Sequence, residues 1–269
     1  MRIALLADIH GNSIALDAVF ADIQRRGGVD AYWVLGDLCA VGFDPIGVLE
    51  RLQQLPNAIF IQGNADRYMV TEQLPPPSQQ EAIDNPDLIP VLVEVAASLG
   101  WTKGALAGCH GLEWLRNMPL EESLILPDGT SVLLTHVAPG QLDGDGIPPS
   151  LTDAQFKAAL GDCSAGLICV GHFHMAMDRR LNGQRVISPG SISNNFPPDL
   201  RAAYAILTTD TSDYDVAFHR VDYDRDACIR ITEQVMQPGI GFITRLMRGE
   251  IRATWLDSWD GKSFYPDLT

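Results

Sequence analysis

Residues 58–69 read AIFIQGNADRYM. Ala58 to Gln62 is a short apolar run of strand type that stops at Gly63. It delivers an amide, a methyl and a carboxylate: Asn64, Ala65 and Asp66. Two earlier apolar runs, RIALLAD and AYWVLGD, also end in a polar side chain, at Asp8 and Asp37. The three ends are 29 and 27 residues apart, the length of one strand-helix-strand repeat. Parallel strands ending on one edge are therefore expected. Between them, IALDAVFADIQRR follows a cap at Asn12 or Ser13 and stops at Gly27-Gly28, and PIGVLERLQQL opens on Pro45. Both read as helices.

Downstream, LPPPSQQEAIDNPD is a loop, and LIPVLVEVAASLGW and GALAGCHGLEWLRNM read as two helices. They form a helical insertion over about 70–119 within a single domain, 1–269. ESLILP and TSVLLTH are joined by Asp128-Gly129, and MDRRL and QRVISPG by Asn182-Gly183, both tight-hairpin dipeptides. A helix near Thr152–Leu160 and the strand GLICVG lie between the hairpins. The strands AAYAILTT and YDVAFHRVDY follow, then helices within about 225–250 and an irregular tail. Repeats followed by hairpins indicate a mixed, layered α/β fold, in which ligands gather beyond the carboxyl ends of strands.

The chain has 269 residues and a net charge of −15, which disfavours long nucleic acid as a partner. An acidic chain that handles an anion needs positive charge from elsewhere, and a bound metal is one source. Five cysteines with no CxxC pair favour reduced thiols in a cytoplasmic setting. No leader pattern follows Met1 and no apolar run of bilayer length is expected, so a membrane is not an expected partner.

The remaining strand ends carry His136 after VLLT, and His172 and His174 in GHFH. With Asp8, His10, Asp37 and Asn64 they make an oxygen and imidazole set without sulfur. Taken singly, each is also an ordinary cap, turn or core residue. All of them at strand ends form a metal-ligand pattern.

The successive motifs DIHGN, GDLCAVG, GNAD, TH and GHFH resemble those of the calcineurin-like metallophosphoesterase family. SPGSI and RAAYAIL resemble the return strands of its bacterial phosphodiesterase branch. The resemblance implies a four-layer sandwich of two mixed β-sheets flanked by helices. It implies that Asp8, His10 and His174 hold one metal, that Asp37 bridges, and that Asn64, His136 and His172 complete a second. Asp37, Asn64 and Asp66 are the expected catalytic residues, with Asp66 orienting a neighbour.

Two divalent ions would supply a bridging hydroxide as nucleophile and neutralise a phosphodiester. Mn²⁺, Fe²⁺, Zn²⁺, Co²⁺ or Ni²⁺ suit such ligands, with Mn²⁺ the choice for assay. Many family members carry a histidine general acid where this chain has Ala65, so leaving-group quality is expected to matter. Asn64, Arg67, Ser191 and Arg201 are the substrate-binding candidates. The expected activity is hydrolysis of a small anionic phosphodiester. Alternatives are a phosphomonoesterase, a dinucleoside-polyphosphate hydrolase, or a catalytically silent metal-binding scaffold. A homo-oligomer is left open.

Overall fold

The computed structural model describes residues 1–261, Phe264 and Pro266. Strand β1 (Arg2–Leu6) leads into α1 (Ser13–Arg25), β2 (Ala31–Val34), α2 (Pro45–Gln53) and β3 (Ala58–Phe60). These strands pair in parallel. Asn12 caps α1 by accepting from the Ala15 amide, and Asp44 caps α2 ahead of Pro45. Helices α3 (Asn64–Val70), α4 (Gln79–Asp84), α5 (Ile89–Ala107) and α6 (Gly111–Arg116) follow. The chain continues through β4 (Glu121–Ile125), β5 (Ser131–Thr135), α7 (Asp153–Leu160), β6 (Leu167–Cys169), β7 (Ala176–Leu181) and β8 (Gln184–Pro189). It then forms β9 (Ala202–Thr209), β10 (Tyr214–Val221), α8 (Arg225–Gln234) and α9 (Ile240–Met247).

One sheet has the order β10-β9-β1-β2-β3 and the other β4-β5-β6-β8-β7. Both are mixed. Strand side chains alternate between faces, and this decides the layering. Ile3 and Leu5 share a core with Val132, Leu134 and Leu167 of the opposite sheet. Ala4 and Leu6 turn the other way, toward Leu16, Val19 and Leu49 of α1 and α2. Leu133 and Ile168 meet Phe156 and Leu160 of α7. The result is helix, sheet, sheet, helix, the expected sandwich of two mixed sheets.

Four local expectations are corrected. The strand expected over Ala58–Gln62 is shorter: β3 ends at Phe60, Gln62 N donates to Pro119 O at 2.8 Å, and Asn64 starts α3. The two helices expected in the insertion are divided elsewhere. α5 runs unbroken through Gly100 and Gly104, and the break falls at Gly108–His110, where His110 has φ +58°. Interior glycines cost a helix only about 1 kcal/mol each, and Leu99 and Leu106 anchor this one in the core. Residues Pro86–Ala107 are, by length and composition, long and apolar enough to cross a membrane, contrary to expectation. Finally, the β4–β5 turn is not the two-residue kind. Gly129 N bonds Leu126 O and Leu126 N bonds Thr130 O, with φ +89° at Gly129 alone. Pro127 fixes a negative φ and excludes the mirror-image turn. The β7–β8 turn does have both central residues left-handed, Asn182 and Gly183. In the tail, Thr254–Ser258 form a 3-10 turn; positions 262, 263, 265 and 267–269 lie outside the described residues.

Candidate metal centre

Five parallel-running strands deliver the polar set. Asp8 and His10 follow β1, Asp37 follows β2, and Asn64 follows β3 as the first residue of α3. His136 follows β5, and His172 and His174 follow β6. Asp8, His10, Asp37, His172 and His174 all have φ between 48° and 77°. Non-glycine residues avoid this region, and each such position costs of the order of 1–3 kcal/mol. Five of them at one site mark a backbone bent for a purpose other than stability.

The outer nitrogen of every imidazole faces a main-chain carbonyl. His10 Nδ1 lies 3.2 Å from Ala40 O, and His174 Nδ1 lies 3.0 Å from Asn194 O. His136 Nδ1 lies 2.5 Å from Leu35 O, and His172 Nε2 lies 2.7 Å from Gly144 O. A carbonyl only accepts, so the outer nitrogen carries a proton, and a ring that holds no second proton turns a lone pair inward.

The inward atoms fall into two groups. In the first, one ligand atom each from Asp8, His10, Asp37 and His174 lies within 4.8 Å of all the others. His10 Nε2 and His174 Nε2 are 3.1 Å apart, and His174 Nε2 is 3.3 Å from Asp8 Oδ1. In the second, Asn64 Oδ1 lies 3.0 Å from His136 Nε2 and 2.9 Å from His172 Nδ1. Asp37 Oδ2 reaches both groups, 3.7 Å from His10 Nε2 and 3.4 Å from His136 Nε2. Its other oxygen accepts from Ala65 N at 2.8 Å, which fixes the carboxylate plane.

Space around Asp37 is tight. A Cβ built on Gly63 would lie 2.1 Å from Asp37 Oδ1, so only glycine fits there. Asp66 is fully buried. It accepts from Asp37 N at 2.8 Å, Gly63 N at 3.0 Å and Leu38 N at 2.9 Å. It therefore shapes the two loops and does not line the cavity.

The electrostatics follow from converging acceptors. Burial alone would raise both carboxyl groups, yet His136 and His10 hold Asp37 well below the usual range, and His174 and His136 lower Asp8. Burial opposes charge on His136 too, but the facing Asp37 carboxylate overrides it and pushes the ring up to about 10. At His10 burial dominates, and the ring falls to about 4. The site thus draws positive charge into a nest of oxygen and nitrogen lone pairs, and this donor set fits a divalent cation of the borderline series.

The substrate-side expectations fare differently. Ser191 is fully buried; its hydroxyl donates to Asp8 O at 2.8 Å and accepts from Ser193 N and Asn194 N. With that capacity used it braces the β1 loop, and it is not among the residues that line the cavity. Arg201 pairs with Asp199 at 2.7 Å, away from the cavity, and half-buried Arg67 is not in the cavity wall. Asn64, His10, Asp37, His172 and His174 do line the cavity, together with Ala65 and Tyr68. His110 is exposed on the insertion, and His219 packs against Tyr204 in the core. The orienting carbonyls of Leu35, Ala40, Gly144 and Asn194 carried no signal in the sequence, because every residue has one.

A two-sheet sandwich with oxygen and imidazole donors at its strand ends defines a class, the metal-dependent phosphoesterases. The chain belongs to the calcineurin-like phosphoesterase superfamily, whose domain matches residues 1–212. The uncharacterized protein MJ0912 of Methanocaldococcus jannaschii is 27% identical over 240 residues, covering 82% of this chain and 88% of that protein. In structure the chain is similar to a metallophosphoesterase from Sphaerobacter thermophilus, at 24% identity and a TM-score of 0.71, covering 93% of this chain and 100% of the other. It is also similar to the hypothetical protein PH1004 from Pyrococcus horikoshii OT3, at 22% identity and a TM-score of 0.74, covering 91% and 97%.

Proposed function

We propose that this chain hydrolyses a small phosphodiester with two divalent ions held by Asp8, His10, Asp37, Asn64, His136, His172 and His174. One observation carries the reading: a single oxygen, Asp37 Oδ2, is shared between two separate donor groups. Bound ions would polarise the phosphoryl oxygens and lower the pKa of water.

The chain's own residues supply the rest. Asp37 is oriented by the Ala65 amide, and the four imidazoles are held by carbonyls. Neutral Asn64 keeps the charge of the second group low, so the loaded site stays cationic toward an anionic substrate. The Ala65 methyl offers no proton to the leaving oxygen. Good leaving groups, aryl esters and phosphoanhydrides, are favoured over alkyl esters.

The test is metal analysis of the purified protein, with hydrolysis of bis-p-nitrophenyl phosphate compared with p-nitrophenyl phosphate under added Mn²⁺. The diester is expected to turn over faster, and Asp37→Ala and His172→Ala to abolish turnover. Unchanged activity in both variants refutes the site.

A further inference from the structure

The donor groups open into a cavity of about 440 Å³ whose far wall comes from α5 and α9. Val91, Val95 and Leu99 repeat every four residues along α5 and so share one helix face. Phe242 of α9, Val41 and the Ala65 methyl complete an apolar surface beside the metal ligands. Beside it, Ser98, Glu94 and Arg245 are the polar side chains that α5 and α9 bring to the cavity. Ser98 Oγ accepts from Gln237 Nε2 at 2.7 Å, and Glu94 Oε1 accepts from Phe242 N at 3.1 Å. The same bonds fasten the segment bearing α9 to α5. The wall is thus a built feature, and α9 lies beyond residues 1–212 that match the family.

We propose that this wall is a specificity subsite for a compact apolar group, of aryl size, on the phosphoester whose phosphate sits at the donor groups. This rests on the phosphoesterase reading above. The volume falls within the range of small-ligand pockets. An apolar group placed against Val91, Val95, Leu99 and Phe242 leaves water over side chains that carry no polar atoms. Ser98, Glu94 and the Arg245 guanidinium, whose Nε donates to Gly241 O at 3.4 Å, keep bonds within the protein. The preference is one of binding and is separate from any effect of leaving-group acidity.

Phenylphosphonate and methylphosphonate separate the two, because they share an anionic head and neither has an ester bond to hydrolyse. Their Kd values are measured by calorimetry on the Mn²⁺-loaded protein, with inorganic phosphate alongside. Phenylphosphonate is expected to bind about tenfold tighter or more, the scale of apolar-pocket discrimination. Phe242→Ala and Val91→Asn are each expected to cut that preference severalfold and to leave methylphosphonate binding as in wild type. Val91 is 47% exposed, so its variant keeps the fold even if Phe242→Ala does not. Phosphate binding with equal affinity for the two phosphonates, or a preference that survives both substitutions, overturns the subsite alone. Failure of phosphate and both phosphonates to bind overturns the subsite and the phosphoesterase reading together.

Discussion

His10 Nε2 and His174 Nε2 face each other at 3.1 Å, with their ring planes inclined by 68°. Each ring donates its other N–H to a carbonyl, Ala40 O or Asn194 O. Two lone pairs therefore meet beside the Asp8 and Asp37 carboxylates, and a cation relieves the repulsion. Added Mn²⁺ should raise the melting temperature of metal-free protein, by about 2.7 kcal/mol of stability at a hundredfold excess over Kd. His174→Ala should lose most of that gain. Calorimetric melting with and without chelator measures it.

Metal uptake should release a proton at pH 8. Burial disfavours charge on His136, but Asp37 raises it from 6.5 to about 10. A raised group stabilises the folded, metal-free state fully below pH 6.5 and loses that contribution as pH climbs through 10. At pH 8 the ring is protonated and must shed its proton to offer a lone pair. Titration calorimetry in buffers of different ionisation enthalpy counts the protons, and a count near zero contradicts the shift.

Asp66→Asn should weaken metal affinity by about 10–100-fold, as for other groups that orient ligands. The carboxylate accepts three backbone N–H groups from both sides. An amide accepts on one oxygen only and turns its NH₂ against an N–H on the other. Metal titration of the variant, paired with a chemical melt, separates lost affinity from lost fold.

Tyr68→Phe should lower activity through a neighbour. The Tyr68 hydroxyl donates to the Asp143 carboxylate, and the carbonyl of adjacent Gly144 orients His172 at 2.7 Å. Without the hydroxyl the loop loses its tie to α3. A stability cost of about 1 kcal/mol is expected, with weaker Mn²⁺ binding; an unchanged Mn²⁺ Kd would rule the link out.

Rates across diesters of graded leaving-group pKa should fall steeply in wild type. In Ala65→His the slope should flatten, with a gain of up to about 10²–10⁴-fold on the poorest leaving groups if the new imidazole donates its proton. Equal slopes in the two proteins would show that the methyl is not where protonation is missing.

Much of the centre was legible because buried parallel strands announce themselves as apolar runs, and a polar side chain at such an end stands out. Asp8, Asp37, Asn64, His136 and the His172–His174 pair were all found in this way. The engagement of Ser191 and Arg201 was not legible because a hydroxyl or guanidinium reads the same whether free or engaged; only the structure shows Ser191 bonded to Asp8 O and Arg201 paired with Asp199. Helix α5 was divided wrongly because its glycines were weighed as breakers while the anchoring of Leu99 and Leu106 was invisible. The Phe242 wall depends on a contact across 148 residues with Glu94, which no local pattern encodes.

Because the inward-facing groups are drawn from both sheets, between positions 8 and 174, no fragment shorter than that span contains the full set. Ion retention should therefore report on the docking of one half of the sandwich against the other. A molecule whose sheets have parted would lose the full donor set, so metal bound per chain would gauge the fold of any preparation or variant.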